Sequence, residues 1–153
     1  MTTRAARWIL LVLALSAAYV GLWAVLAPHS FHDSFPGGGH RWVAADGPYN
    51  EHLVRDVGAL YLALLVFSVG AATRPDPVVT RWTGPAWLVF GVPHLAYHST
   101  HLAMFGRPDR VLMIVALGGT ALLAALLCLP RSGRRPAGLG AGRSRFSPRR
   151  TPG

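Results

Sequence analysis

The sequence contains no lysine and only one cysteine, and both shortages restrict what the protein can be. Cys128 alone can form neither an intrachain disulfide nor a CxxC redox or zinc motif. Charged residues are also scarce, at 14% of the 153 residues, whereas a soluble domain usually carries about 25%. Hydrophobic residues make up 52% of the chain, so the composition indicates a membrane protein.

All of the basic charge comes from arginine, and the formal net charge is +9. Seven of the 15 Lys+Arg residues crowd into 131–153, so they do not form the basic face of a folded nucleic-acid-binding domain. We therefore expect no nucleic-acid partner. The segment 131–153 is rich in Arg, Gly, Ser and Pro and has little to bury, which predicts a disordered cytoplasmic tail after a membrane domain at 1–130.

Four apolar stretches predict membrane-spanning helices, each able to cross about 30 Å of hydrocarbon. They lie at about 8–27, 51–72, 86–105 and 111–129. The first could instead be a cleaved signal peptide, but its apolar run is longer than a usual signal core and Pro28 follows the best cleavage site. We predict a retained helix, and therefore an all-α fold built as a four-transmembrane-helix bundle.

Arginine placement predicts the orientation of this bundle. Four crossings put both termini on one side, together with eleven of the arginines, and leave Arg41, Arg55, Arg107 and Arg110 on the other. The positive-inside rule then predicts cytoplasmic termini for a multi-pass protein of the plasma membrane. Residues 28–49, rich in Pro, Gly and aromatic residues, are predicted to form an outer loop that lies at the membrane surface or caps the bundle.

The most distinctive motif is a histidine triplet inside the third apolar stretch. On an α-helix, His98 lies roughly 40° from His94 and His101 lies roughly 20° on the other side, so all three share one face. These rings could ligate a transition metal or a haem. They could also be neutral buried histidines that only form hydrogen bonds, or could serve a proton- or quinone-type role, and the sequence leaves these alternatives open.

A charged group at the start of the second predicted helix is the expected partner of the triplet. His52 and Asp56 share a face, and Glu51 and Arg55 have the spacing of a supporting ion pair. Charges near a membrane interior are costly and usually functional, so we predict that Asp56 pairs with His98 or His101. The alternative is an interfacial salt-bridge cluster that fixes the helix position.

Small residues indicate where helices approach closely. Ala59, Ala63 and Gly70 predict a contact face on the second helix, and Gly118-Gly119 predicts a close packing point on the last.

The second helix also carries a family resemblance. The Asn50-Glu51 start and the run 56–63 (DVGALYLA), within four crossings, resemble small bacterial four-helix membrane proteins of the DoxX-like group. The resemblance covers most of residues 8–129 and implies an integral membrane bundle without established chemistry. The arginine- and alanine-rich composition is also typical of a high-GC bacterium.

Three functions remain open from the sequence. The first is an outward-facing polar site for a metal, haem or small ligand, formed by His94, His98, His101, His52 and Asp56. The second is a structural or accessory subunit of a membrane complex, in which these residues only pack helices. The third is a small transporter that acts as a homo-oligomer. No nucleophile with a surrounding motif is present, so an enzyme is disfavoured.

Overall fold

A computed structural model describes residues 2–74 and 76–129, and all regular secondary structure in this part of the chain is helical. The all-α prediction is therefore confirmed for these residues. The predicted tail at 131–153 lies outside them. The α-helices are α1 (Thr3–Leu26), α2 (Pro28–Ser34), α3 (Trp42–Asp46), α4 (Glu51–Thr73), α5 (Pro77–Thr100) and α6 (Arg107–Leu127), with a 3₁₀ turn at Leu102–Met104.

Side-chain caps explain where the first and fourth helices begin. The Thr2 hydroxyl accepts a hydrogen bond from the Ala5 amide at 3.2 Å, which starts α1 earlier than the predicted position 8. Asn50 Oδ1 accepts from the Leu53 amide at 3.1 Å, and α4 begins at Glu51 as the sequence predicts. An Asn or Thr at this position satisfies a backbone N–H that the helix itself leaves free.

The predicted start of the third long helix at 86 is wrong, because α5 begins at Pro77. The Asp76 carboxylate accepts from the amides of Val78 and Val79 at 2.7 and 3.1 Å, and proline at the first helical position suits this cap. Pro85 and Pro93 both lie inside the helix, which ends at Thr100 and not at the predicted 105.

Two other predicted segments differ from the structure. α6 begins at Arg107 and not at 111, because Gly106 and Pro108 provide a cap and a proline-compatible first turn. Residues 28–49, predicted as a loop, contain α2 and α3. We call residues 28–50 the cap, because α2 packs against α1, α3 and α4 at the end of the bundle where α1 ends and α4 begins.

The long helices form two closely packed antiparallel pairs, α1 with α4 and α5 with α6. Gly21 and Gly58 face each other at the first contact, where a Cβ at Gly58 would lie 2.9 Å from that of Ala24. A Cβ at Gly84 of α5 would lie 2.9 Å from the Ala124 carbonyl oxygen of α6. Glycine permits these close approaches, because it has no side chain to separate the two backbones.

The small residues predicted to form helix contacts do not form them. Ala59 and Ala63 are exposed, and Gly70, Gly118 and Gly119 have no atom within 4 Å of a would-be Cβ. On α4 the buried face instead follows Val54, Gly58 and Tyr61.

Three of the described helices are long and apolar enough to cross a membrane: α1, α4 and α6, with mean hydropathies of 2.4, 1.7 and 2.2 over their best windows. Only a third or less of each window is buried inside the chain. The remaining surface carries large apolar side chains such as Leu15, Val66 and Val115, which are 74%, 71% and 63% exposed. Apolar surface of this extent is typical of helices that face lipid.

Candidate functional site

Two of the three predicted histidines form a pair on α5. The ring centroids of His94 and His98 are 4.7 Å apart, with the rings nearly perpendicular at 84°. Phe90 stacks on His94 from the other side, with centroids 5.0 Å apart and planes at 21°. The i, i+4 spacing therefore brings together the two imidazoles that the sequence places on one face.

His101 does not join this pair. It follows the last residue of α5, and its ring stacks on Tyr97 at 4.1 Å. Its Nδ1 lies 2.8 Å from the Tyr97 carbonyl oxygen and 3.0 Å from the Thr100 hydroxyl. The helix ends before the regular spacing can carry His101 onto the face of His94, so the predicted triplet is a pair with a separate third ring.

The paired histidines lack polar partners. His98 Nδ1 is buried and has no hydrogen-bond partner within the described residues. No hydrogen bond joins His94 to any other described residue either, although its ring lies between Phe90 and His98. Burying a polar nitrogen without a partner costs free energy, so such a group in a native structure calls for an explanation by function.

The predicted contact of Asp56 with a histidine of α5 is absent. Asp56 Oδ2 lies 2.9 Å from His52 Nδ1, and the two side chains are 64% and 86% exposed. Asp56 is two residues from both Val54 and Gly58, which face the bundle, and two residues rotate a helix by about 200°. The carboxylate therefore faces away from α5.

The supporting ion pair is present at the start of α4. Arg55 Nε donates to Glu51 Oε1 at 2.8 Å, and a guanidinium nitrogen of Arg55 also donates to the Val25 carbonyl oxygen at the end of α1. Arg55 thereby joins α4 to α1. The pair fixes the position of the helix and lies apart from the α5 histidines.

Among residues 2–74 and 76–129, no three His, Cys, Asp or Glu side chains converge in a group that could hold a metal ion. The predicted five-residue set is divided between α4 and α5, and only the His94–His98 pair brings two potential ligands together on α5. A closed structural metal centre usually takes four protein ligands, so the described residues do not form one.

A cleft lies beside His94 where α4, α5 and α6 meet. Tyr61 lines it from α4. From α5 it is lined by Trp87, Phe90, Gly91 and His94, and from α6 by Leu117, Thr120 and Ala121. The empty space, including its open mouth, is about 260 Å³.

Aromatic contacts hold the walls of the cleft in place. Tyr61 packs edge-on against Trp87 and Phe90, with centroids 6.1 and 5.2 Å apart. The Trp87 indole N–H donates at 2.9 Å to the buried Ser68 hydroxyl, which in turn donates to the Leu64 carbonyl oxygen. The indole N–H is thus satisfied outside the cleft, and only its ring faces the empty space. Tyr61 and Trp87 carry no functional signal in the sequence, because aromatic residues in apolar helices are usually packing residues, and no motif surrounds Ser68.

The carboxylate that reaches α5 is Asp46 of the cap. Its Oδ1 accepts from the Tyr97 hydroxyl at 3.2 Å, and the Tyr97 ring packs edge-on against His98 with centroids 5.3 Å apart. The Asp46-Gly47 pair gives only a turn signal in the sequence. No local pattern links it to a tyrosine 51 residues away.

Two more cap contacts involve histidines that the sequence left unassigned. His32, only 8% exposed, places Nδ1 2.8 Å from Asp33 Oδ1 and donates from Nε2 to the Gly47 carbonyl oxygen at 3.0 Å. His29 Nδ1 lies 3.1 Å from the other Asp33 oxygen. The hydrogen bond from His32 lowers the pKa of Asp33 below its usual range, and the two nearby histidines add to this effect.

The cap is also attached to α6 through one carboxylate oxygen. Asp109 Oδ1 lies 2.5 Å from His40 Nδ1 and accepts from the Trp42 indole N–H at 2.8 Å. Trp42 packs with Phe105 and Met113 in a small apolar cluster. This attachment joins the cap to the beginning of α6.

Comparison of the chain with protein-family models, curated proteins and solved structures finds no match. The DoxX-like resemblance therefore stays a prediction, and the function has to be inferred from the geometry alone.

Proposed function

We propose that the chain is a four-span protein of the plasma membrane, with both termini in the cytoplasm, that binds a small ligand in the cleft beside His94. α1, α4 and α6 supply three apolar spans, and α5, packed between α4 and α6, supplies the fourth. α5 is less apolar than the others because it contains prolines, histidines and Arg81. The lipid bilayer is the proposed partner of the exposed apolar faces.

Charge asymmetry supports the orientation. The end of the bundle opposite the cap carries Arg4, Arg7, Arg74 and Arg81, and α6 ends on the same side, before the seven arginines that the sequence has at 131–153. The cap end carries five of the six acidic residues. Under the positive-inside rule the cap then faces the outside of the cell.

Labelling of single cysteines tests this topology. In a Cys128→Ser background, we expect Ser34→Cys in the cap to react with a membrane-impermeant maleimide in intact cells. Thr73→Cys, at the other end of α4, should react only after the membrane is permeabilised. The reverse pattern, or labelling of both in intact cells, would refute the topology.

One observation carries the ligand proposal: His94 lines a cleft between α4, α5 and α6, and the Nδ1 of its neighbour His98 is buried without a hydrogen-bond partner among the described residues. A ligand group in the cleft can hydrogen-bond to the His94 ring, which lines it. A purely structural subunit gains nothing from a buried imidazole nitrogen without a partner, whereas a ligand site requires available polar groups.

A change in the cleft volume tests the proposal. Gly91 lines the cleft and a Cβ there would meet no atom within 4 Å, so Gly91→Leu adds side-chain volume at the cleft wall. Gly70→Leu is the matched control, because its Cβ also meets nothing and Gly70 does not line the cleft. We expect protein isolated in lipid nanodiscs to retain a small organic molecule, detected by mass spectrometry of extracts, in the wild type and Gly70→Leu but not in Gly91→Leu. Equal extracts from all three would favour the structural-subunit alternative.

A transition metal bound by His94 and His98 is the second candidate, supported by their 4.7 Å ring separation. Elemental analysis of the wild type beside His98→Ala distinguishes a bound metal from an organic ligand. A stoichiometric metal that is lost in His98→Ala would favour a metal over an organic ligand. A metal-free wild type removes this candidate.

A further inference from the structure

We propose that the end of the bundle opposite the cap binds anionic phospholipid, with Arg7 and Trp8 of α1 and Arg81 and Trp82 of α5 as headgroup contacts. The site is separate from the cleft beside His94. The proposed topology enters only through the leaflet that supplies the lipid, which is the inner one.

The dipeptide Arg-Trp occurs three times in the sequence, at 7–8, 41–42 and 81–82. In the cap, Arg41 donates to a backbone carbonyl oxygen at 3.2 Å and Trp42 donates to the Asp109 carboxylate at 2.8 Å. The other two dipeptides lie at the opposite end of the bundle, where both tryptophans are exposed. None of their four side chains donates a hydrogen bond to another described residue, so these guanidinium and indole N–H groups are available to a partner outside the chain.

The two available dipeptides lie at the same depth. Arg7 and Arg81 are the fifth residues of α1 and α5, and Trp8 and Trp82 are the sixth. At about 1.5 Å per residue, each arginine lies about 6 Å along the axis from the first residue of its helix. Tryptophan is enriched at the membrane–water interface, where its ring packs among lipid chains and its N–H meets the headgroups. The matched depth on two helices therefore defines one headgroup level.

The positive charge at this end has no countercharge among the described residues. Arg4 and Arg74 add two more exposed guanidinium groups, and neither forms an ion pair within the described part of the chain. Of the six acidic residues only Asp76 lies at this end, and its carboxylate accepts from the amides of Val78 and Val79. A guanidinium group matches the geometry of a phosphate, and a zwitterionic headgroup brings its own cation. Four uncompensated arginines therefore favour a phospholipid with a net negative charge.

Exposed apolar faces lead from both dipeptides toward the middle of the membrane. On α1, Val12 and Leu15 follow Trp8 at i+4 and i+7, and both are exposed. On α5, the exposed Val89 follows Trp82 at i+7. Residues at these spacings share one helix face, so an acyl chain that lies along it brings its phosphate to the level of the arginine. A phospholipid uses both the apolar face and the donors, whereas a free phosphate uses only the donors.

Spin-labelled phospholipids test the proposal on the full chain in phosphatidylcholine nanodiscs. A small amount of labelled phosphatidylglycerol or of labelled phosphatidylcholine is added, and electron paramagnetic resonance measures the fraction that the protein immobilises. We expect the wild type to prefer phosphatidylglycerol. Arg7→Gln and Arg81→Gln should each lower this preference about 2- to 5-fold, because an arginine near an anionic surface contributes about 5-fold and other lipid contacts dilute the effect.

Arg107→Gln is the matched control, because Arg107 is exposed at the cap end of α6 and forms no ion pair with a described residue. It removes the same charge and should leave the preference unchanged. Trp82→Phe keeps an aromatic ring and removes the indole N–H, so it should lower the preference about 2-fold or more. An unchanged preference in Trp82→Phe would refute the assignment of this indole as a headgroup contact.

An equal affinity of the wild type for both lipids, or equal losses in Arg81→Gln and Arg107→Gln, would overturn the proposal. Glycerophosphoglycerol, the headgroup without acyl chains, should not displace the labelled lipid. Displacement would show that the site binds a free phosphate and not a lipid. Nanodiscs expose both ends of the bundle to the same lipids, so the result does not depend on the orientation. A reversed maleimide pattern beside an intact lipid preference would refute the proposed topology and leave the headgroup contacts in place.

Discussion

The Tyr97 hydroxyl donates to Asp46 Oδ1 at 3.2 Å, and this hydrogen bond joins the cap to α5 directly above the His94–His98 pair. Tyr97 also stacks on His101 and packs edge-on against His98, so one side chain connects the cap carboxylate with two imidazoles. Tyr97 therefore couples the position of the cap to the positions of His98 and His101.

Removing only the hydroxyl tests this coupling. Tyr97→Phe keeps the ring contacts with His98 and His101 but breaks the bond to Asp46. We expect faster amide hydrogen exchange in residues 42–50 and a loss of about 0.5–1.5 kcal/mol or less in the free energy of unfolding, because the bond is exposed. Ser99→Ala serves as control, because the Ser99 hydroxyl donates to the Leu95 carbonyl oxygen within α5. Unchanged exchange at 42–50 in Tyr97→Phe would contradict the coupling.

A second prediction concerns Asp109, whose Oδ1 is shared by His40 and Trp42. Because His40 and Asp109 are in direct contact, their substitutions should not act additively. In a double-mutant cycle with His40→Ala and Asp109→Asn, we expect a coupling free energy of about 0.5–3 kcal/mol, measured by unfolding in mixed micelles.

The exposed pair of His52 and Asp56 is the matched comparison for that cycle. Its side chains are 86% and 64% exposed, against 33% and 28% for His40 and Asp109. The His52→Ala and Asp56→Asn cycle should give about 0.5 kcal/mol or less, since solvent screens exposed pairs. Equal coupling in both cycles would show that the Asp109 attachment has no special role in holding the cap.

Asp33 gives the cap a defined response to acid. Its pKa is below the usual value near 3.8, chiefly because His32 donates a hydrogen bond to it. A lowered pKa in the folded state means that the ionised carboxylate stabilises the fold above about pH 4. This contribution is lost as the pH falls through the usual value and then through the lowered one.

Melting temperatures between pH 6 and pH 3 measure this response. We expect the wild type to lose stability on acidification more steeply than Asp33→Asn, which has no carboxylate to protonate. Asp56→Asn provides the comparison, since Asp56 pairs with an exposed histidine on α4. Parallel pH curves for the wild type and Asp33→Asn would contradict the role assigned to Asp33.

The sequence predicts the long helices better than it predicts their contacts. Apolar runs locate α1, α4 and α6, which are long and apolar enough to cross a membrane, and Asn50 fixes the start of α4 by a local cap. The predicted start at 86 is nine residues late, although Asp76 followed by Pro77 is a helix-start signal. The Asp76-Pro77 signal therefore allows this helix start to be predicted from the local sequence.

Hydrogen bonds between residues far apart in the sequence could not be predicted from local sequence signals. Asp56 was the expected partner of α5 because it lies near the histidines in a simple topology, yet Asp46 reaches Tyr97 and Asp56 turns toward His52. Which carboxylate reaches α5 depends on how the cap folds over the bundle. The fold of the cap depends on tertiary contacts such as that of Trp42 with Asp109. Residue spacing in the sequence does not predict such contacts.

Gly58 gives a final prediction, about the packing of α1 against α4. A Cβ at this position would lie 2.8 Å from Val25 Cγ2, 2.9 Å from Ala24 Cβ and 3.1 Å from the Val25 amide nitrogen. A backbone atom cannot yield as a flexible side chain can, so the two helices would have to move apart. We expect Gly58→Ala to cost about 1–3 kcal/mol of unfolding free energy, as for other overpacked sites.

Gly70→Ala on the same helix is the matched control, because its Cβ would meet no atom within 4 Å. Alanine is also the better helix former by about 1 kcal/mol in soluble helices, so Gly70→Ala should be neutral or stabilising. The change in unfolding free energy is measured in mixed micelles. A loss for Gly58→Ala beside no loss for Gly70→Ala would establish that the α1–α4 contact requires a glycine at position 58. If Gly58→Ala is as well tolerated as Gly70→Ala, the two helices do not approach as closely as the structure has them.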